Sequence, residues 1–577
     1  MTPTTGCGEL QVDNHQPDAT RDQPIKKKLT GIPGFDEIAE GGLPAGGITT
    51  IVGDPGSGKT VFALQVLVNC LKARGERGIF VAFEEPNDQI RHNVASFDWE
   101  FGKIRDDDIR LIDARLPIDA VHSGVFDLSG LLAGLTVLMA ESGACNIAFD
   151  GIDILLSALN DPALERQEMM RLGKWVRDSG VMALVTVKSH GLGERDQQRA
   201  GFLQYITDCV IVLEGCLTET AFSRIIRITK CRGSGFAANP VPVVIGRSGL
   251  EVVGVREKRE GHPTFSDRVS TGVLRLDTML DGGYIRGSCT LVSGAPGTSK
   301  TSLGASFVAA ACKSGQRALL VSFDESSAQI ISNMTSIGLD LDRYVRSGLL
   351  VMESLFSASR SPEEHFVAIR KLMAQHRPFF LVIDPLSALM KMNLPFAEMV
   401  CERILDQARS AGITVLCTSL QENVSGAHEL SVSHISTVAD TWIHVSYIAN
   451  QGERNRALTI IKSRGTAHSN QVCELILGAH GIEIADVYSA EGEVLMGSAR
   501  HQKLATDRRE HLQEEMADQR RRFDLDKSIA ELKALAESAA QNLEWKQREA
   551  KLLGLDEKTI RDSAQTDANE RLNFRTG

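Results

Sequence analysis

Gly53-Asp54-Pro55-Gly56-Ser57-Gly58-Lys59-Thr60 recurs, in a second copy of the same domain, as Gly294-Ala295-Pro296-Gly297-Thr298-Ser299-Lys300-Thr301. In each, a Gly-rich turn aims backbone N–H groups at nucleotide phosphates, the Lys ammonium reaches the β- and γ-phosphates, and the Thr hydroxyl ligates Mg²⁺. The first loop satisfies G-x-x-x-x-G-K-[ST] throughout, whereas the second carries Ser299 where the last Gly belongs. One such match arises by chance, but two at one offset inside a repeat do not. The motif nominates Gly53, Asp54, Gly56, Ser57, Gly58, Lys59 and Thr60 as nucleotide-binding residues, with Gly294, Gly297, Thr298, Ser299, Lys300 and Thr301 in the second copy.

The repeat extends beyond the loops. Thr30-Gly31-Ile32-Pro33-Gly34-Phe35-Asp36 aligns with Thr271-Gly272-Val273-Leu274-Arg275-Leu276-Asp277. Ile79-Phe80-Val81-Ala82-Phe83-Glu84-Glu85 and Leu319-Leu320-Val321-Ser322-Phe323-Asp324-Glu325 both read as a buried strand closed by an acidic pair. Ile147-Ala148-Phe149-Asp150 and Leu381-Val382-Ile383-Asp384 end in one Asp, the expected second carboxylate on the Mg²⁺ side. Lys230-Cys231-Arg232-Gly233 matches Lys462-Ser463-Arg464-Gly465. Strands alternating with helices predict an α/β fold of two tandem P-loop NTPase domains, each a parallel sheet covered on both faces.

The 577 residues suit two such domains and tails. Residues 1–23 are polar and predicted disordered. The first domain is placed at 24–255, a charged linker at 256–263 and the second domain at 264–497. A net charge of −11 argues against a constitutive nucleic-acid surface. The 11 Cys are scattered without metal-ligand spacing, which points to reduced thiols and a cytoplasmic protein. No run reaches the length of a membrane span. Trp99 and Trp442 read as core residues. From 498 to 577 the composition turns to helix formers. A long helix is predicted from Gln502 to about Gly554, with Phe523, Leu525, Ile529, Leu532, Leu535, Ala539, Leu543 and Leu552 along an apolar stripe. That stripe either folds back on its own ring or pairs with a second tail as a coiled coil.

The paired loops, the acidic pairs, the K-x-R-G segments and above all Ser433-His434-Ile435-Ser436-Thr437-Val438-Ala439-Asp440-Thr441 resemble the KaiC family of RecA-like clock ATPases. The resemblance implies ATP hydrolysis, autokinase and autophosphatase activity, ATP and Mg²⁺ as cofactors, and a hexamer. It implies that Glu84 and Glu85 polarise the hydrolytic water, and that Asp324, with Glu325, is the base for transfer to Ser436 and Thr437. Thr60, Asp150, Thr301, Asp324 and Asp384 then stand on the metal side. Ser96 matches an adenine-side contact. Lys230, Arg232 and Ser234, and in the second domain Arg456, Lys462, Ser463, Arg464, Thr466 and His468, match contacts to a nucleotide across a subunit interface. Asp324 replaces a Glu, Ile337 the family's adenine-stacking Trp, and Phe236 a His. A KaiB-like partner is expected on the first-domain ring. The longer C-terminal segment argues against dependence on a KaiA-like activator and, where tails pair, gives a dodecamer.

Two other classes carry the same loops: a RecA- or RadA-like DNA-directed ATPase, and a signalling scaffold that nucleotide merely switches. The first predicts basic, Gly-rich loops after the Asp384 strand. The chain instead continues Met390-Lys391-Met392-Asn393-Leu394-Pro395-Phe396.

Overall fold

The computed structural model describes residues 26–115, 128–159, 161–189, 206–217, 222–253, 265–390, 396–421, 435–450, 452–490 and 493–573. The predicted disorder of 1–23, the linker 256–263, Lys391–Pro395, Ser433-His434 and the Ser436 side chain lie outside the described residues.

Each domain is built on a nine-stranded sheet. Across the first the order is Ile109–Asp113, Gly78–Ala82, Asn146–Asp150, Met182–Lys188, Ile48–Gly53, Cys209–Leu217, Phe222–Cys231, Val241–Gly246, Gly249–Val252. The second repeats it as Leu350–Ser354, Ala318–Ser322, Phe380–Asp384, Thr414–Leu420, Cys289–Gly294, Thr441–Asn450, Glu453–Ser463, Cys473–Gly478, Gly481–Asp486. The first six strands of the first sheet pair in parallel. The remaining three run antiparallel, an extension that the sequence reading, which expected a parallel sheet throughout, did not contain.

Alternation along each inner strand explains why helices cover both faces. Phe80 joins the cluster with Phe62, Leu64 and Leu67, while its neighbours Ile79 and Val81 join Phe149, Leu172 and Val176 on the other side. The two domains share apolar packing, because Val244 and Val253 of the first lie in one buried cluster with Phe366 and Ile369 of the second. Beside it Arg370 pairs with the buried Glu251, whose carboxyl is pushed up by burial against the pull of that guanidinium. Trp99 is buried as expected and Trp442 is partly buried against the second core.

A separate compact unit comprises Ala449–Asn455 and Val487–Gly577. It holds a hairpin, Tyr488–Ala490 with Glu493–Leu495, and a helix from Gly497 to Asn573. The hairpin, which the sequence reading assigned to the second domain, clusters with the helix. The helix is longer than predicted at both ends. Gly554 sits inside it, at a cost of about 1 kcal/mol relative to Ala. Its 77 residues span about 115 Å, and its apolar side chains, Phe523, Leu525, Leu532 and Leu543 among them, are exposed.

Candidate functional site

Each phosphate loop leaves the C-terminal end of a central strand, Ile48–Gly53 or Cys289–Gly294, and runs into the helix Lys59–Arg74 or Lys300–Lys313. The loop turns through the left-handed region at Gly56 (φ 78°) and Gly58 (φ 102°). A Cβ at Gly58 would stand 2.6 Å from Ile245 Cδ1. Ser299 holds the same conformation at φ 72°, which costs an L-residue about 1 kcal/mol. The second loop therefore keeps the shape that its sequence departs from.

Lys59 Nζ donates to the carbonyls of Gly53 (2.8 Å) and Asp54 (2.9 Å), and Lys300 Nζ to those of Gly294 (2.9 Å) and Ala295 (2.7 Å). Burial pulls the Lys300 ammonium down to about 8 and lowers Lys59 against the attraction of Asp150. A phosphate anion beside either would restore the charged form. Ser57 Oγ is buried without a protein partner, as suits a loop that wraps phosphate oxygens.

Thr60 Oγ1 lies 3.2 and 3.1 Å from the Asp150 carboxylate oxygens, and Thr186 Oγ1 donates to the same group at 2.7 Å. In the second domain Thr301 and Thr418 donate to Asp384. One hydroxyl and one carboxylate form the donor set that Mg²⁺ takes when phosphates and water complete its octahedron. Thr186 and Thr418, which orient these carboxylates, were not singled out from sequence, although they recur at one strand position of the repeat.

Burial raises the carboxyl of Asp384 above its ordinary value, outweighing Thr301, Thr418 and Lys300, and that of Asp150 likewise. The folded chain thus keeps this proton to higher pH than the unfolded one. The stabilisation is complete below the ordinary carboxylate range and is lost as pH rises through the elevated value. At neutral pH the ionised carboxylate costs stability. Asp384→Asn is therefore expected to raise the melting temperature without ligand by about 2–4 °C while removing the Mg²⁺-dependent tightening of ATP binding. Calorimetry at pH 7 with and without Mg²⁺ checks both, and a lower melting temperature sinks the argument.

The acidic pairs divide their labour. Glu85 accepts from Asn93 (3.0 Å) and Glu325 from Asn333 (3.1 Å), so the second acid of each pair is held by the helix that follows. In the first domain the first acid turns toward the loop, since Glu84 acts electrostatically on Lys59 and Asp150, whereas in the second both Asp324 and Glu325 lie close enough to Asp384 to act on it. Lys188 Nζ lies 2.7 Å from Glu84 Oε1. Sequence reasoning missed Lys188, which lies outside every motif; the corresponding strand end in the second domain is Leu420.

The remaining candidates separate by sheet edge. Gly53 pairs with Leu213 and Gly215 with Arg224, so Arg224 lies on the loop side, and its Nε donates to Gly56 O at 3.3 Å. Arg456 makes the same bond to Gly297 O (3.3 Å), joined by Tyr447 OH (2.6 Å). Arg456 therefore stands at its own chain's loop, and Arg224, overlooked in the sequence, is its counterpart at the same offset from K-x-R-G. Six residues further along the strand, about 20 Å away, Lys230 pairs with Val210, whose other neighbour is Thr50. Lys230 Nζ donates to Thr207 O (2.6 Å) and Arg232 stands 3.8 Å from Asp208. These cations thus occupy the edge opposite their own phosphate loop.

The second domain repeats this. Arg464 Nη2 donates to Thr437 O (3.0 Å), and Thr441 pairs with Thr290 at the far end of the loop strand. The helical turn Ile435–Val438 that carries Ser436 and the exposed Thr437 therefore lies more than about 13 Å from its own loop. Thr466 accepts from Arg268 and its carbonyl lies 3.3 Å from His468 Nδ1. Ser234 and Ser96 are exposed or nearly so and bond locally, to Gly235 O and Asn93 O. Ser463 is buried with its hydroxyl paired to Thr441 (3.1 Å), leaving only its backbone for a nucleotide. Ile337 packs against the core, and its counterpart Phe97 stacks on Trp99 at 4.4 Å.

The model of the KaiC ATPase family matches residues 29–257 and 269–488, one segment for each domain. The chain belongs to the KaiC family. It is 35% identical to the circadian clock protein KaiC2 of Synechocystis over 94% of this chain and 95% of that protein. It is 33% identical to the circadian clock oscillator protein KaiC of Parasynechococcus marenigrum over 85% and 95%, and 32% identical to that of Synechococcus elongatus over 82% and 92%. Both KaiC domains thus carry the loop, acid and K-x-R-G elements, and no helix among the described residues is long and apolar enough to cross a membrane.

Proposed function

We propose that this chain is a ring-forming, clock-type ATPase whose second domain phosphorylates Ser436 and Thr437 of a neighbouring subunit. The carrying observation is the distance along the sheet between each chain's phosphate loop and both its K-x-R-G cations and its Ser/Thr turn. A chain so built completes its sites only head to tail, and such an interface closes into a ring; the family resemblance makes it a hexamer. Bound Mg²⁺ neutralises the β- and γ-phosphates. Glu84 orients water for in-line attack, and Lys230 and Arg232 from the neighbour stabilise the transferring phosphoryl group. In the second domain Asp324 takes the proton of the acceptor hydroxyl, with Glu325 restrained by Asn333. Its side chain is a methylene shorter than the family's Glu, which slows the step by about an order of magnitude.

Phosphopeptide mass spectrometry after incubation with ATP, followed through time, tests the reading. Phosphate is expected at Ser436 and Thr437, and its absence there overturns the kinase assignment. Net charge and the segment after Asp384 disfavour the DNA-directed reading. The first-domain ring would receive a KaiB-like partner.

The tail supports a larger assembly. Leu525, Ile529, Leu532, Ala536, Ala539 and Leu543 alternate at spacings of four and three, a coiled-coil seam, and all lie exposed on the single helix. Several modest pairs around a ring reinforce one another through effective concentration. Light scattering is expected to give twice the hexamer mass for the full chain and one hexamer after truncation at Arg500; equal masses sink the tail-to-tail dodecamer.

A further inference from the structure

Cys209 and Cys231 face each other across antiparallel strands of the first domain. Arg232 N donates to Asp208 O (2.8 Å), which makes 209/231 a non-hydrogen-bonded pair. In such a pair the Cα atoms approach to about 4.5 Å with side chains on one face, inside the range a disulfide spans. The two thiols lie close enough to shift each other's ionisation. The Cys289/Cys417 pair differs, since Cys289 is registered with Val415 and Cys417 with Leu291, so those two are offset along parallel strands. In the second domain the 209/231 position holds Thr441 and Ser463, joined by a hydroxyl hydrogen bond.

We propose that Cys209 and Cys231 form a reversible disulfide under peroxide, and that this cross-link slows the first domain by holding back its two interface cations. Cys231 is the more accessible of the two, and contact with Cys209 and the nearby Lys27 ammonium lower its thiol against burial, so Cys231 is the attacking thiolate. It attacks one oxygen of hydrogen peroxide, releasing hydroxide and becoming a sulfenic acid. The Cys209 sulfur then displaces the sulfenic oxygen as water, giving S–S. Both thiols are buried, Cys231 the less completely, which favours a small oxidant. Lys230 and Arg232 flank Cys231 and rest on Thr207 and Asp208, beside Cys209. To reach a neighbour's nucleotide they must leave those partners, and tying residue 231 to residue 209 opposes that departure. The cross-link itself is independent of the proposed function; its effect on turnover rests on it.

Full-length protein treated with hydrogen peroxide is expected to yield a 209–231 cross-linked peptide pair lacking two hydrogens, reversed by dithiothreitol. ATP turnover is expected to fall about threefold or more and to recover with the reductant. The control is Cys209→Thr/Cys231→Ser, the pair that the sister domain tolerates at this position; its turnover is expected not to respond to peroxide. Free thiols at 209 and 231 after oxidation of other cysteines overturn the site. Equal loss of turnover in the control, or a cross-link without loss, overturns the effect on the cations. Absence of turnover in the reduced wild type counts instead against the proposed function, and the peptide assay still decides the cross-link.

Discussion

Rings mixed from Lys300→Ala chains and Ser436→Ala/Thr437→Ala chains are expected to accumulate phosphate on the Lys300→Ala chains. Those chains keep the acceptor hydroxyls but lack the ammonium that holds the β- and γ-phosphates. Their partners hold ATP but offer no acceptor. Lys300→Ala protein alone is expected to label about 100-fold more slowly than the mixture, the size of losing one charged group that steadies the transferring phosphoryl, and Ser436→Ala/Thr437→Ala protein alone not to label at this turn. The reason is the register at the centre of the second sheet. Thr441 lies beside Thr290 and Gly294 beside Val445, so acceptor turn and phosphate loop sit at opposite edges of one chain. Light scattering first confirms that rings have formed. Phosphate on Ser436 or Thr437 of Lys300→Ala protein alone, at the rate of the mixture, sinks transfer between subunits.

Steady ATP hydrolysis is expected to fall about 100-fold or more with Lys59→Ala or Glu84→Gln, and to lose only a minor share with Lys300→Ala. The first loop uses Gly58 where the second strains Ser299, and Glu84 has the longer side chain and Lys188 beside it. Because Asn93 holds Glu85, Glu85→Gln is expected to cost much less than Glu84→Gln. A colorimetric phosphate assay on the four variants decides. Loss of turnover with Lys300→Ala and its survival with Lys59→Ala would mean that the domains are reversed.

Most of the fold was legible because its signals are local. A buried parallel strand reads as a near-continuous apolar run, as Gly78–Ala82 does, and the phosphate loop marks where the strand Ile48–Gly53 meets its helix. The repeat located both domains, and the want of Pro located the tail helix. Strands such as Cys209–Leu217 and Phe222–Cys231 alternate buried and exposed positions and mix Arg, Lys and Glu with Ile, so the antiparallel wing left a fainter trace. Arg224 could have been read from the repeat once Arg456 was assigned. Lys188 could not, since no second copy and no motif accompanies it.

The sequence by itself determined two tandem phosphate-loop domains, the Lys, Thr and Asp of each site, the acidic pairs and the helical tail, because these depend on residue type at short spacing. Tertiary structure alone decided that Asn93 and Asn333 hold the second acid of each pair. It alone decided that Arg224 and Arg456 attend their own loop, while Lys230, Arg232, Lys462 and Arg464 lie at the other edge. Strand pairing makes that difference: residues six apart on one strand end up about 20 Å apart, at opposite ends of a sheet whose neighbours come from distant parts of the chain. Spacing along the chain carries no information about which end of the sheet a residue reaches until the register is set.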